Sequence, residues 1–201
     1  MPKLTRENFS IAEMCDCSLA QRMGIDNTPD MKVLHNLSVT VTGLERIRAL
    51  LGYPMHVNSA YRSEALEKVL CQADYSTWCS RGGRAIDQAS WKRYYASKAH
   101  PRGYAADFTC AQYGPPSAVL QAIRNASIDF DQCILEGAWV HISFAPKMRR
   151  EFLVKTFDAF GVSITQPYHP APADGGPYTA VRFEISESDE APPQPPLGLA
   201  H

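Results

Sequence analysis

The chain has 201 residues, 45% of them hydrophobic and 20% charged, which is enough to bury the core of one globular domain and to carry a tail. Its 20 Lys and Arg residues nearly balance its 21 Asp and Glu residues, so the formal net charge is -1. This balance leaves no broad positive field of the kind that draws proteins onto nucleic acid, and we expect no nucleic-acid partner.

Cysteine spacing and hydropathy indicate where the protein is made. No CxxC pair typical of zinc ribbons or thioredoxin-like sites occurs among Cys15, Cys17, Cys71, Cys79, Cys110 and Cys133. The N-terminus MPKLTRENFS lacks the apolar run of a signal peptide, and no segment approaches the roughly 18 apolar residues of a membrane span. We expect synthesis in the cytoplasm, mainly reduced thiols, no Cys71–Cys79 disulfide and no membrane partner.

Two helices are predicted at the start of the chain. Ser10 can cap the first, Glu13 can complete a capping box, and Gly24 is its natural end. After a turn at residues 26–30, apolar residues recur at spacings of three and four, which predicts a long amphipathic helix ending near Gly52. These residues are Met31, Leu34, Leu37, Val41, Leu44, Ile47 and Leu51.

The next segment predicts a strand, a short helix and an insertion. MHVNSAYR, residues 55–62, has the composition of a strand, and a helix follows from Ser63 to about Leu70. Residues from about 71 to 96 form an insertion that we expect to be partly helical near Asp87 to Ser97. We expect its aromatic residues to pack onto the domain rather than bind a ligand; they are Trp78, Trp91, Tyr94 and Tyr95.

The rest of the chain completes a small sheet and ends in a tail. Residues 104–110, 130–135 and 139–144 are short, aromatic and β-branched, and a helix is predicted from Pro115 to about Asn125. This order predicts an α+β fold in which helices flank a small antiparallel sheet. We expect one monomeric domain over residues 1–165 and a Pro/Gly-rich, mostly disordered tail over 166–201, where TAVRFEI could add an edge strand.

Three side chains form a candidate metal site. His100 lies in a loop and Asp107 on the strand after it, with Gly103 between them to let the chain turn. His141 lies at the centre of the strand WVHIS, and it can approach the other two residues from an adjacent strand. Two His and one carboxylate, with a fourth position left to water, are a standard arrangement for catalytic zinc.

The motifs around these residues resemble a known peptidase family. The pattern S-x-x-H-x-x-G-x-A-x-D at residues 97–107 follows SAYRS at 59–63 and precedes WVH at 139–141. This order is similar to that of the zinc D-Ala-D-Ala carboxypeptidases and phage L-alanoyl-D-glutamate endolysins. The closest branch shares an opening like FSIAEMCDCSLAQRMGIDNTP and a segment like FDQCILE. The similarity spans about residues 8–145, interrupted by the insertion.

The resemblance implies a role for each matched residue. His100, Asp107 and His141 would bind zinc, Arg62 would hold substrate or stabilise the developing oxyanion, and Ser97 would contact substrate. Several family members carry an acidic residue three positions before the last His, where this chain has Ala138. We therefore assign the catalytic base to the nearest carboxylate, Glu136, with Asp131 as the fallback.

The function implied is hydrolysis of peptide bonds in peptidoglycan stem peptides, as an endopeptidase or a D-Ala-D-Ala carboxypeptidase. A protein without a signal peptide would reach the wall after release by another factor or as part of a virion. The alternative is a non-catalytic module that keeps the zinc and binds wall fragments or another protein, as Ala138 would permit. Glu64 and Glu67, where the family often has proline and asparagine after YRS, bear on substrate fit more than on metal binding.

Overall fold

A computed structural model describes residues 8–157 and 163–170 of the chain. Its helices are α1 (Ile11–Cys15), α2 (Ser18–Met23), α3 (Met31–Leu51), α4 (Glu64–Leu70), α5 (Gln72–Arg81), α6 (Gln88–Ser97) and α7 (Pro116–Asn125), with a 3-10 turn at His100–Arg102. Its strands are β1 (His56–Ser59), β2 (Ala105–Thr109), β3 (Gln132–Glu136), β4 (Trp139–Ser143), β5 (Glu151–Phe157) and β6 (Ser163–Pro167). No helix in these ranges is long and apolar enough to cross a membrane.

The strands form one sheet in the order β1-β2-β4-β3-β5-β6. All neighbours are antiparallel except β3 and β5, which run parallel. The predicted α+β class is therefore confirmed, while the sheet is larger than predicted and mixed rather than purely antiparallel. The parallel pair arises because the chain leaving β4 crosses over and places β5 beside β3, a pairing that no local pattern reveals.

The first predicted helix is two helices separated by an extended step at Asp16 and Cys17. The Ser10 hydroxyl accepts a hydrogen bond from the Glu13 amide at 3.1 Å, as the predicted cap requires, and the second helix ends before Gly24. The break is held by a distant side chain, since Asn27 donates to the Cys15 carbonyl at 2.9 Å. A tertiary contact thus overrides the local helical pattern.

The predicted insertion consists largely of two helices, α5 and α6. The second was predicted, whereas the first was missed because its polar residues and the following Gly82-Gly83 resemble a loop. Its aromatic residues do pack together as predicted, around a small core of Tyr75, Cys79, Trp91 and Tyr94. The Tyr75 and Trp91 rings meet edge to face with centroids 5.1 Å apart, and all six cysteines are free thiols.

Helix α3 follows the prediction and organises the main core. Its apolar residues Leu37, Val41, Leu44 and Ile47 are buried in one cluster with β2 and β4 residues that include Phe108, Val140 and Ile142. Side chains of a strand alternate between its two faces. The residues between these core positions, Asp107 and His141, therefore point to the opposite face of the sheet.

Two buried polar residues of α3 hold the loop that follows α6. The Asn36 side-chain amide donates to the Arg102 carbonyl at 2.8 Å, and the Thr40 hydroxyl donates to the Gly103 carbonyl at 2.8 Å. Hydrogen bonds of this kind inside a protein are costly to lose because the carbonyl left behind has no water to replace its partner. They fix the position of the 3-10 turn that begins at His100.

The predicted tail stays a prediction, because nearly all of it lies outside the described residues. The chain divides into one unit ending at Tyr168 and a second over residues 169–201, and only residues 169 and 170 of the second are described. TAVRFEI lies outside the described residues. Within the described part, strand β6 extends to Pro167.

We predict that Thr40→Val destabilises the protein by about 1–3 kcal/mol, since valine keeps the shape but leaves the Gly103 carbonyl unpaired. Thr42→Val is the matched control, because the Thr42 hydroxyl bonds only within the helix, to the Ser38 carbonyl at 2.9 Å. Urea denaturation of both variants measures the difference. Equal losses of stability would show that the bond to Gly103 contributes nothing particular.

Candidate metal centre

Sheet register and a tight turn bring the three predicted ligands together. Asp107 and His141 are direct partners across β2 and β4, so their side chains leave the same face of the sheet. His100 reaches them from the 3-10 turn, which ends at Gly103 with φ 73°. A Cβ at Gly103 would lie 2.9 Å from the Val33 carbonyl oxygen, so both the backbone angle and the lack of space require glycine here.

The donor atoms of these three side chains form a compact triangle. His100 Nε2 lies 3.2 Å from Asp107 Oδ1 and 3.2 Å from His141 Nδ1, and His141 Nδ1 lies 2.8 Å from Asp107 Oδ1. In the described part of the chain this is the single group of three or more such side chains with donor atoms within 4.8 Å of one another. All three residues are buried.

The spacing of the donors fits zinc. Ligands held at about 2.0–2.1 Å in tetrahedral geometry lie about 3.3–3.4 Å from one another, and the three distances here, 2.8–3.2 Å, are close to that value. Two imidazole nitrogens and one carboxylate oxygen are also ligands that zinc prefers. The residues present therefore fit the ion that the sequence predicts.

Hydrogen-bond accounting gives a second test of the fit. His100 Nδ1 lies 2.6 Å from the Ala60 carbonyl oxygen, and a carbonyl only accepts, so this nitrogen must carry the ring proton. A neutral His100 then presents the lone pair of Nε2 to the Asp107 carboxylate, which also only accepts. Of the three converging atoms only His141 Nδ1 can supply a proton. The lone pairs of His100 Nε2 and Asp107 Oδ1 therefore have too few donors, and a cation between the three atoms would interact with them.

The electrostatics keep His100 neutral and Asp107 ionised. Burial, reinforced by the Arg62 charge, lowers the pKa of His100 from its usual value, with Asp107 opposing the shift. Burial by itself would raise the pKa of Asp107, but its contacts with the two histidines outweigh burial and hold that pKa well below the usual range. These are the protonation states in which imidazole and carboxylate bind metals.

The Arg62 guanidinium is held by hydrogen bonds beside Asp107, one of the candidate ligands. Its Nη2 donates to Asp107 Oδ2 at 2.7 Å and its Nε donates to the Ser59 hydroxyl at 2.9 Å. The third nitrogen, Nη1, faces Glu67 Oε2 at 3.8 Å, which is beyond hydrogen-bond distance. Arg62 thus orients the carboxylate whose other oxygen belongs to the donor triangle, a supporting position common around protein metals.

Glu136 lies on the same face of the sheet as the donor triangle. It ends β3 opposite Trp139, while Ile134 is the residue opposite His141, so Glu136 and His141 are diagonal neighbours, typically about 7–8 Å apart. Its side chain is 15% exposed and pairs with Lys155, Nζ to Oε2, at 3.5 Å. Glu136 as catalytic base stays a prediction that this position permits.

The structure does not bring Asp131 or Ser97 to the donor atoms through any hydrogen bond. Both Asp131 oxygens accept from Arg149, at 2.7 and 2.8 Å, and hydrogen bonding to this guanidinium lowers the pKa of Asp131. A carboxylate so paired is a poor base, which disfavours the fallback assignment. The Ser97 hydroxyl donates to the Tyr94 carbonyl at 2.6 Å, and its predicted substrate contact remains untested.

Sequence reasoning missed the residues that support the ligands. Three groups support them: the Ala60 carbonyl accepts from His100, and Ser59 and Glu67 lie beside Arg62. None of these residues has a spacing in the sequence that marks a metal site. Glu67 carried a weak signal, since it is a carboxylate at a position where the resemblance implied asparagine. Its burial, with only 2% of the residue exposed, could not be foreseen from a helix that also carries exposed acidic residues.

One protein-family model matches the first part of the chain. The family model described as Peptidase M15 matches residues 7–93, which supports a metallopeptidase. The matched region contains Arg62 and Glu67, whereas the three donor residues and Glu136 lie beyond it. A search of curated proteins returned no match.

We predict that His141→Ala abolishes stoichiometric zinc binding and lowers stability, because binding of a metal by folded ligands is coupled to folding. The wild-type protein is expected to hold one zinc ion per chain by plasma emission spectrometry after dialysis. His35→Ala is the matched control, since His35 is exposed on α3. Unchanged zinc content in the His141 variant would refute the ligand assignment.

Proposed function

We propose that the protein is a zinc-dependent peptidase that hydrolyses peptide bonds in the stem peptides of peptidoglycan. The observation that carries the proposal is the triangle of His100, Asp107 and His141, whose donor atoms lie 2.8–3.2 Å apart. The match of residues 7–93 to Peptidase M15 supports hydrolysis of peptides as the activity. The wall substrate rests on the resemblance of the motifs to wall-lytic peptidases.

The chemistry of the site suits hydrolysis of an amide. With zinc bound by the three donors, the site would supply Lewis acidity toward the scissile carbonyl and the attacking water. Three protein ligands leave a coordination position open, which is typical of catalytic rather than structural zinc sites. The site lies on the sheet face opposite the main core.

Glu136 is the carboxylate best placed to move protons. From the end of β3 it would accept the proton of the attacking water and then donate it to the departing amine. Its partner Lys155, 3.5 Å away, holds the side chain on the metal side of the sheet. Because a base works only within hydrogen-bond distance of the proton that it takes, a short movement of Glu136 toward the donor triangle would accompany substrate binding.

Arg62 is a positioning residue in this account. By donating to Asp107 Oδ2 at 2.7 Å it fixes the direction of the other carboxylate oxygen and compensates part of the buried charge. Supporting residues of this kind commonly change metal affinity by about 10–100-fold when they are replaced. The nitrogen that faces Glu67 is the one left without a close hydrogen bond, and it is the group with which Arg62 could also contact a substrate.

The proposed substrate lies outside the cytoplasmic membrane, and we propose that the protein reaches the wall after release by another factor or as part of a virion. The competing function is a zinc-containing module that binds wall fragments without cutting them. Ala138, at the position where several family members have an acid, favours that alternative. Zinc content does not separate the two functions, whereas turnover of wall does.

The test is incubation of the zinc-loaded protein with purified peptidoglycan, with and without a chelator, and analysis of the products by mass spectrometry. We expect new peptide termini that disappear with the chelator and return when zinc is restored. The masses of the products identify the bond that is cut. Absence of products from several wall types would favour the binding module.

We predict that Glu136→Gln keeps zinc and loses cleavage by about 10²–10⁴-fold, the usual contribution of a general base. Glu151→Gln is the matched control, because Glu151 is also a strand glutamate but lies opposite Gln132, at the other end of β3. Initial rates on the same wall preparation give the comparison. Equal rates for wild type and Glu136→Gln would remove Glu136 from the mechanism.

A further inference from the structure

A groove lies between the helical insertion and the last two strands. It encloses about 580 Å³ and is lined by Asp74, Thr77, Trp78, Arg81, Gly82, Arg84, Tyr94, Lys98, Lys155, Ser163 and Thr165. Its two sides are joined by a hydrogen bond from the Ser163 hydroxyl to Asp74 Oδ1 at 3.2 Å. The insertion forms one side of the groove, and the three candidate metal ligands are not among the residues that line it.

The groove carries an excess of positive charge. Its lining contains four cations, Arg81, Arg84, Lys98 and Lys155, against one carboxylate, Asp74. That carboxylate accepts a hydrogen bond from the Ser163 hydroxyl, and it is outnumbered by the cations of the lining. Lys155 is the one cation of the lining with a described ion pair, its contact with Glu136 at 3.5 Å.

Aromatic rings hold two of these cations in place. The Arg84 guanidinium lies 4.0 Å from the centroid of the Trp78 ring and also donates to the Trp78 carbonyl at 3.0 Å. The Lys98 ammonium lies 4.2 Å from the centroid of the Tyr94 ring. Cation–π contacts orient a charge without neutralising it, so both groups remain able to pair with an anion.

The groove adjoins the candidate metal centre. Lys98 precedes His100 by two residues, and Lys155 contacts Glu136, which lies on the same face of the sheet as His141. The strands β4, β3, β5 and β6 are successive neighbours. Three strand spacings therefore separate His141 from the β6 side of the groove, or about 14 Å.

We propose that this groove binds the carboxylate-bearing part of an extended peptide whose scissile bond lies at the metal centre. An extended chain advances about 3.3–3.6 Å per residue, so about four residues reach from the metal centre to the β6 side of the groove. Fewer residues reach Lys98, which precedes His100 by two positions in the chain. Free carboxylates of the peptide would pair with Arg84 and Lys98. This inference rests on the proposed function and adds to it a binding site, separate from the metal centre, for the free carboxylates of the stem peptide.

The test compares two stem tetrapeptides of one sequence, the first with its carboxylates free and the second with each converted to the carboxamide. Binding to the zinc-loaded full chain is measured by calorimetry at low salt, and mass spectrometry of the same mixtures reports cleavage. We expect the acidic peptide to bind at least about tenfold more tightly, with the ratio falling as salt rises because the attraction is electrostatic.

Two variants locate the effect in the groove. Lys98→Gln and Arg84→Gln should each reduce the ratio to about threefold or less, since each removes one charge that is available to a carboxylate. Arg93→Gln is the matched control, an exposed charge on α6 outside the groove. Thermal unfolding checks that each variant is folded, which matters most for Arg84 because it packs on Trp78.

The outcomes separate this inference from the proposed function. A ratio near one for the wild-type protein, or a ratio unchanged in both groove variants, would overturn the inference even if the wall is cleaved. A ratio that depends on Lys98 and Arg84 without cleavage of any wall would support the groove as a site for acidic peptides and refute the peptidase.

Discussion

The buried carboxylate of Asp107 is the group on which the rest of the site depends. A carboxylate removed from water costs several kcal/mol unless charges and hydrogen bonds replace its hydration, and Asp107 is 5% exposed. One of its oxygens accepts a hydrogen bond from Arg62. The other lies near two imidazole nitrogens, of which only His141 Nδ1 can donate to it. This arrangement is well compensated when a cation occupies the triangle and poorly compensated otherwise, so the fold and the ion stabilise each other.

Strands β2 and β4 carry core residues on one face of the sheet and the candidate ligands Asp107 and His141 on the other. Phe108 and Val140 bury one face against α3 and α7, which fixes the strand register, and the register in turn sets Asp107 beside His141. Helix α3 then acts twice, because its apolar face builds the core while Asn36 and Thr40 hold the turn that delivers His100. Packing of the core on one face of the sheet thus positions the candidate metal ligands on the other face.

How much of this could be predicted from the sequence depended on whether the signal was local. The course of α3, its end near Gly52, and the strands around Asp107 and His141 follow from periodicity, caps and β-branched composition, and the three donors followed from motif order. The break at Asp16 depends on Asn27, and the parallel placement of β5 depends on a crossover. Neither contact has a local pattern, and the same holds for the Ala60 carbonyl and for the ion pair of Arg62 with Asp107.

Charge placement was the other property hidden from the sequence. A net charge of -1 gives no hint that four cations line one groove beside the candidate site, because they come from α5, the loop after it, the end of α6 and β5. The sequence of the insertion resembles irregular structure, yet its helices pack around an aromatic core. The insertion forms one side of the groove. It thereby gives the candidate site an electrostatic character that the shared motifs do not carry.

Zinc K-edge X-ray absorption spectroscopy of the purified, zinc-loaded protein would show whether the donor triangle binds the ion, since it reports which atoms surround the metal. We predict a first shell of nitrogen and oxygen at about 2.0–2.1 Å and the outer-shell scattering of two imidazole rings. Replacing the cysteines by serine is expected to leave this spectrum unchanged. A sulfur neighbour at about 2.3 Å, or a shell without imidazole, would contradict the assignment of His100, Asp107 and His141 as the metal site.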